Sequence, residues 1–464
     1  PPLVDLTNVT NTKLLCCQSD SSTTTAAVIP TGSITASGDP AAASQTISQS
    51  LGTTLTWPDS ITWNGATAPT LLTSDGATRP GQAQVFNLTT ADGGTTWYGY
   101  QEFSYKSEYF TGFSGGANGR GQLGLGNRDA TLSSPTQITG SKWTDLSTTK
   151  NIVLSIGDGG TLWAWGDGAY GVLGQNQEGV PNSRSSPTQI PGTTWSSCKA
   201  HDNVMVATKT DGTLWTWGSN SYGSLGLNNT TKYSSPTQIP GTTWSVILEG
   251  DANDGQVSGA IKTDGTLWMW GLNAQGQLGL NDKTHRSSPT QIPGTTWALG
   301  AGANTSLVIR TDGTLWSWGQ GGYGSLGKNN VFNYSSPVQV PGTTWKEVEV
   351  SDGSVLSTKT DGTLWSWGYN QHGQLGDSSK TSRSSPTQVP GTTWDNMSMG
   401  SKIAGATRTD KTLWTWGNNE YGQLGQNDNG PGPGGINSPK QIPGTNWADV
   451  KMGLSNFYFL QDPS

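Results

Sequence analysis

Apolar and polar positions alternate in one phrase that returns six times along the chain. The phrase is Leu-Trp-x-Trp-Gly, preceded in most copies by Thr-Asp-Gly-Thr. Its first tryptophans are Trp163, Trp215, Trp268, Trp316, Trp365 and Trp414, spaced by 52, 53, 48, 49 and 49 residues. Its second tryptophans, Trp165, Trp217, Trp270, Trp318, Trp367 and Trp416, follow two positions later and share a strand face with the first, because side chains alternate along an extended chain. Residues 194–239 show one whole copy. Trp195 to Lys199 and Val204 to Lys209 predict two strands joined by a short polar loop. Asp211-Gly212 is a turn signal of the kind that needs positive φ and closes a hairpin. Leu214 to Gly218 is the third strand. Pro236-Thr237-Gln238-Ile239 reads as an outer edge strand, where a missing N–H is tolerated. Four strands in a repeat of this length predict a propeller blade, a unit that buries its apolar faces only against neighbouring copies. The twelve tryptophans are therefore assigned to the blade core, with stacking of sugars or bases as the alternative.

Counting at the ends gives seven of each strand. A weakened third strand sits at Phe113, followed by Gly121-Gln122-Leu123-Gly124. Edge strands begin at Pro135, Pro187, Pro236, Pro289, Pro337, Pro386 and Pro439, and first strands at Trp143, Trp195, Trp244, Trp297, Trp345, Trp394 and Trp447. The set closes only if residues 447–460 return to pair with the Phe113 segment. The expected fold is all-β: a seven-bladed propeller over 104–464 with C-terminal strand closure.

Trp-x-Trp-Gly followed by Gly-Gln-Leu-Gly, as at Trp268 to Gly271 and Gly276 to Gly279, resembles the regulator of chromosome condensation repeat family. The resemblance covers about residues 106–464 and implies seven blades. The family's founding activity is nucleotide exchange on a small GTPase with chromatin binding. The absence of a basic tail and the acidic balance of this chain argue against that activity here. Another branch resembles secreted propellers that inhibit enzymes by binding them, so the scaffold serves as a pure protein binder.

The first hundred residues are of another kind. Residues 1–50 are small, polar and nearly uncharged, and read as an extended low-complexity anchor or linker. Residues 51–103 place Leu55, Trp57, Ile61, Trp63, Val85, Phe86, Leu88, Trp97 and Tyr98 between Gly, Pro and Asp, which predicts a small β module. Thr56-Trp57-Pro58, Ile61-Thr62-Trp63 and Asp92 to Gly99 resemble segments of virion structural proteins of marine bacteriophages, as does the stretch from Val4 to Gln18. That resemblance implies a virion surface or tail-appendage protein, extracellular in location. Its N-terminal part would hold it to other virion proteins or oligomerise it, and its propeller would meet a host surface receptor. A secreted or cell-surface bacterial propeller that binds a partner protein is the other reading.

Composition narrows the chemistry. Charged residues are 12% of the chain, about half the usual share, whereas 65 of 464 residues are glycine. The net charge of −7 disfavours binding to a phosphate backbone. No apolar run is long enough for a transmembrane helix, so no membrane insertion is expected. Cys16, Cys17 and Cys198 cannot build a disulfide framework and read as small buried or tail residues. His201, His285 and His372 fall at different places in different repeats, and His201 and His372 read as solvated loop residues. Glu347 and Glu349 alternate on one strand and so share a face, a catalytic pair only if a cleft adjoins them. Asp251 to Gly255 resembles a calcium loop, but its glycine comes one residue early and no bidentate Glu follows, so a polar turn is favoured. Residues 430–435 are glycine-rich but lack the Lys-Ser/Thr end of a phosphate cradle. No enzyme chemistry, metal or other cofactor is expected. Recognition is instead placed on the loops that vary between copies, at 175–184, 228–233, 251–256, 281–286, 329–334, 378–383 and 427–436. Arg184, Tyr233, Arg286, Phe332, Tyr334 and Arg383 are the residue types there that anchor interfaces.

Overall fold

The computed structural model describes residues 43–48, 61–63, 83–90, 97–102, 110–128, 131–138, 143–250, 256–428 and 435–462. The sequence features at Cys16 and Cys17, at Asp251 to Gly255 and at 430–434 lie outside them. The chain divides into two compact units, Pro1–Glu108 and Tyr109–Ser464. In the first, four strands form one sheet in the order Ala43–Ser48, Ala83–Thr90, Trp97–Glu102 and Ile61–Trp63, the last pair being parallel. The sheet thus takes in a strand ahead of Leu51, where composition alone starts the module.

The second unit is the propeller. Blade two shows the plan: Trp195–His201, Val204–Lys209, Leu214–Gly218 and Tyr233–Ile239 pair antiparallel in that order. Its edge strand begins three residues before Pro236. The proline falls inside a register shift between Tyr233 and Thr237, where the ladder asks for no donor. Blade seven closes the ring two plus two. Trp447–Met452 and Asn456–Gln461 pair onto Thr111–Gly116 and Leu132–Gln137, with Phe459 opposite Phe113.

The repeated tryptophans divide into two roles. Every second tryptophan is fully buried. Its indole N–H donates at 2.7–2.9 Å to a turn carbonyl of the preceding blade: Trp165 to Gln122, Trp217 to Val172, Trp270 to Ser224, Trp318 to Gln277, Trp367 to Ser325 and Trp416 to Gln374. Each thus satisfies a buried donor while stapling two blades together. The first tryptophans of the phrase are only half-buried. Five of them sandwich a cation against the tryptophan that leads the same blade. Lys209, Lys262, Arg310, Lys359 and Arg408 lie 4.4–4.8 Å from both ring centroids. In blades one and seven the matching position, opposite Trp143 and Trp447, holds Gly157 and Gln461.

Candidate functional site

The two faces of the propeller are built from different material. On one, the Thr-Asp-Gly-Thr turn closes on itself. Asp211 Oδ1 accepts the Thr213 N–H at 3.0 Å and its hydroxyl at 2.6 Å, and that hydroxyl oxygen accepts the Trp215 indole N–H at 2.9 Å. The same chain of bonds recurs at Asp264, Asp312, Asp361 and Asp410. These bonds from threonine hold the aspartates below the usual carboxylate range. Little on this face is left to distinguish one blade from another.

The opposite face carries the first-to-second and third-to-fourth connections. Each of the latter turns on a glycine: Gly121, Gly171, Gly223, Gly276, Gly324, Gly373 and Gly422, with φ between +71° and +84°. A Cβ at the first six would stand 2.3–2.7 Å from the next blade's edge strand, so only glycine fits. The residue before each glycine is thereby held at the turn apex. These seven are Arg120, Tyr170, Tyr222, Gln275, Tyr323, His372 and Tyr421. The four tyrosines are 51, 38, 59 and 42% exposed. Tyr170 and Tyr323 hold a left-handed φ of +57°, uncommon for a residue with a side chain. Tyr222 lies edge-on to His285 at 5.2 Å, and Tyr323 packs on Tyr369 at 4.8 Å, with His372 at 6.3 Å beyond. Sequence reasoning missed this set because it placed recognition on the longer variable loops that follow these turns. The signal was there: four of the seven residues that precede the turn glycine are tyrosine.

The loop residues predicted from sequence stand on the outer rim, where the edge strands begin. Phe332 is 68% exposed. Tyr233 and Tyr334 are half-buried, and each hydroxyl accepts an amide N–H from its own loop, from Asn229 and Asn330. Arg184 is held by Asn182 and Gln177, Arg286 by Asp282 at 2.5 Å and Arg383 by Asp377 at 2.7 Å. Each arginine is thus engaged within its own loop.

The axis is plugged by charge. Inner strands of successive blades exchange side chain to backbone bonds: Ser147 Oγ accepts the Ala200 N–H, Glu349 Oε2 that of Met399, and Ser398 Oγ that of Met452, at 2.7–3.0 Å. Lys199 pairs with Glu249 at 2.6 Å and Lys451 with Asp449 at 3.4 Å. Glu249 reaches the axis because the inner strand of blade three breaks after Ile247, and Glu249–Gly250 pairs parallel with blade four. Burial weighs against the ammonium groups of Lys199 and Lys451, but the carboxylates around them hold both above the ordinary lysine value. Burial pushes the Glu349 carboxyl up to about 7. The space among these groups is about 30 Å³, enough for about one water and no substrate. Glu349 lines this small space, and Glu347 does not. His201, expected in a solvated loop, ends the inner strand of blade two and is fully buried. Its Nε2 lies 3.1 Å from the Leu248 carbonyl and burial lowers its pKa to about 4, so it sits as a neutral donor. Cys198 is a buried free thiol whose pKa burial raises, which makes it inert. Among the described residues, no group of three or more His, Cys, Asp or Glu is placed to hold a metal, and no helix is long and apolar enough to cross a membrane.

Comparison with known proteins agrees with this architecture. The regulator of chromosome condensation (RCC1) repeat matches residues 159–207, 211–246, 264–308, 312–356, 361–403 and 410–455. The probable E3 ubiquitin-protein ligase HERC4 of Homo sapiens is 27% identical over 191 residues, 39% of this chain and 18% of that protein. The ultraviolet-B receptor UVR8 of Arabidopsis thaliana is 28% identical over 188 residues, 38% of this chain and 41% of that protein. The matches thus span less than half the length of these curated relatives. Among solved structures, Prp20p from Saccharomyces cerevisiae, described with its binding to Gsp1p and histones, superposes with a TM-score of 0.68 at 18% identity. That match covers 77% of this chain and 93% of Prp20p. Human WBSCR16 gives 0.65 at 18% identity, covering 76% and 99%.

Proposed function

The chain belongs to the regulator of chromosome condensation (RCC1) repeat family, and from that premise we propose that it is a non-enzymatic binding module whose long-loop face docks a partner. The observation that carries this reading is the ring of apex residues, with four exposed tyrosines on turns fixed by glycine. Tyrosine supplies contact area at little entropic cost, and a rigid scaffold spares the ordering of loops. The binding of Gsp1p and histones by Prp20p supports such a use of this fold. In the finer reading the protein is a bacteriophage virion surface or tail-appendage protein. Its first hundred residues attach it to other virion proteins or oligomerise it, and its propeller meets a host surface receptor. The phrases around Trp57, Trp63 and Trp97 support that reading.

Two measurements test it. Tyr170→Ala, Tyr222→Ala and Tyr323→Ala combined should weaken binding to host cells or their surface extract by about tenfold or more, without a change in melting temperature. Unchanged binding, with loss on altering the Thr-Asp-Gly-Thr face, reverses the assignment of faces. Mass spectrometry of purified virions should recover the chain. Recovery from bacterial culture medium and not from virions makes it a secreted or cell-surface bacterial propeller.

A further inference from the structure

Where the ring closes, on the face of the third-to-fourth connections, blades six, seven and one line an open cavity of about 500 Å³. Its walls come from three first-to-second connections, at Lys150 and Asn151, at Lys402, and at Leu454 and Ser455, and from two turns, at 117–122 and 418–421. Such a volume suits a small ligand of several rings, a different order of site from the plugged axis. The lining has a distinct chemistry. Arg120, Lys150 and Lys402 bring three cations together against one carboxylate, Glu420, on a chain whose net charge is −7. Arg120 has Asp167 at 3.5 Å, whereas among the described residues Lys150 and Lys402 form no salt bridge. Side-chain amides stand between the cations. Gln122 donates to Asn151 Oδ1 at 3.4 Å. Asn418, only 6% exposed, accepts the Glu420 N–H through Oδ1 at 3.0 Å, and its Nδ2 makes no hydrogen bond among the described residues. Tyr421, an exposed aromatic, is part of the same lining.

We propose that this seam cavity binds a carboxylated saccharide, a short run of sugar rings that carries uronic-type acid groups. Cations meet the carboxylates. The amides of Asn151 and Asn418 donate to ring hydroxyls, and the Tyr421 ring offers an apolar platform to a sugar's C–H face. An acidic peptide would engage the cations and, through its carbonyls, the amides, but it offers no sugar ring to Tyr421, so Tyr421 is the residue that separates the two. The site shares Arg120 and Tyr421 with the ring of apex residues, and the variants that test that ring leave both in place, so the two readings fail separately.

The test is titration calorimetry of the full chain with an oligogalacturonate, a neutral glucan of equal length and an oligoglutamate. The oligogalacturonate should bind and weaken steeply with salt, as contacts to exposed cations do, and the neutral glucan should not bind. Lys150→Ala with Lys402→Ala should lower the affinity at least about tenfold with the fold intact by circular dichroism, as loss of two charge-assisted contacts implies. Tyr421→Ala should weaken the oligogalacturonate and leave any oligoglutamate binding unchanged. No oligogalacturonate binding, equal binding by the double-lysine variant, or oligoglutamate binding as tightly as the sugar would each overturn the assignment.

Discussion

At the scale of the residue, two tryptophans two positions apart do different work. Trp318 is fully buried and its N–H is spent on the Gln277 carbonyl of the blade before. Trp316 is half-buried, bonded to Thr314 in its own turn and capped by Arg310. Trp318→Ala should cost about 3–5 kcal/mol, the range for large aromatic truncations in a core, and strand one carbonyl besides. Trp316→Ala should cost about 1–2 kcal/mol less, because part of its surface already faces water. Chemical denaturation of both variants checks this, and equal losses would mean that the cation sandwich matters as much as the staple. The sequence showed that both residues pack but not that they differ, since alternation reports a strand's face and not what lies across it. His201 shows the same limit. A lone histidine near a loop carries no sign that the Leu248 carbonyl of the next blade accepts a hydrogen bond from its ring. Nor did the arginine and tyrosine side chains at the rim reveal that their own loops would engage most of them.

At the scale of the element, the seventh blade departs most from the repeat, and its closure was legible. Equal counts of each strand type, with two missing at one end and two spare at the other, leave one arrangement. The filling of its core was not legible. The tryptophan phrase becomes Phe113-Ser114-Gly115-Gly116, and a Cβ on Gly115 would fall 2.3 Å from the Phe457 ring. Phe457 and Phe459, stacked at 4.2 Å, fill from the partner strand the volume that a second tryptophan fills elsewhere. That compensation crosses more than three hundred residues of chain, beyond the reach of local patterning. Deleting residues 447–464 removes this filling along with two strands and leaves Thr111–Gly116 as an unpaired sheet edge. Aggregation or loss of cooperative unfolding should follow, seen by scattering and calorimetry. A truncated chain that melts like the full one would show that the remaining six and a half blades stand alone.

At the scale of the whole molecule, the axis ties the inner strands together through charge, and the charge depends on pH. Glu349 faces Lys451, Glu249 and Lys199, and burial raises its carboxyl to about 7. The folded protein therefore holds this proton more tightly than the unfolded chain, whose glutamates titrate near about 4.3. The stability from this group is complete below that lower value and declines as the pH rises towards the upper one. Glu349→Gln keeps an oxygen for the Met399 N–H and removes the slope. The variant should gain on the wild type by about 2 kcal/mol from about pH 5 to about pH 8, read as a shift in urea midpoint. A difference that stays flat with pH would mean that Lys451 keeps the carboxylate ionised throughout.

The closure also decides how the propeller answers a pull. Thr111–Gly116 is an interior strand, bonded along one side to Asn456–Gln461 and along the other to Leu132–Gln137. Tension on the chain ahead of Phe110 therefore loads both ladders together in shear, where an edge strand would peel bond by bond. Forced unfolding is governed by the barrier to the first rupture, and parallel loading raises it. The C-terminal hairpin is thus a clasp as well as the last piece of the ring, and a propeller tethered through its N-terminal side keeps its shape under drag.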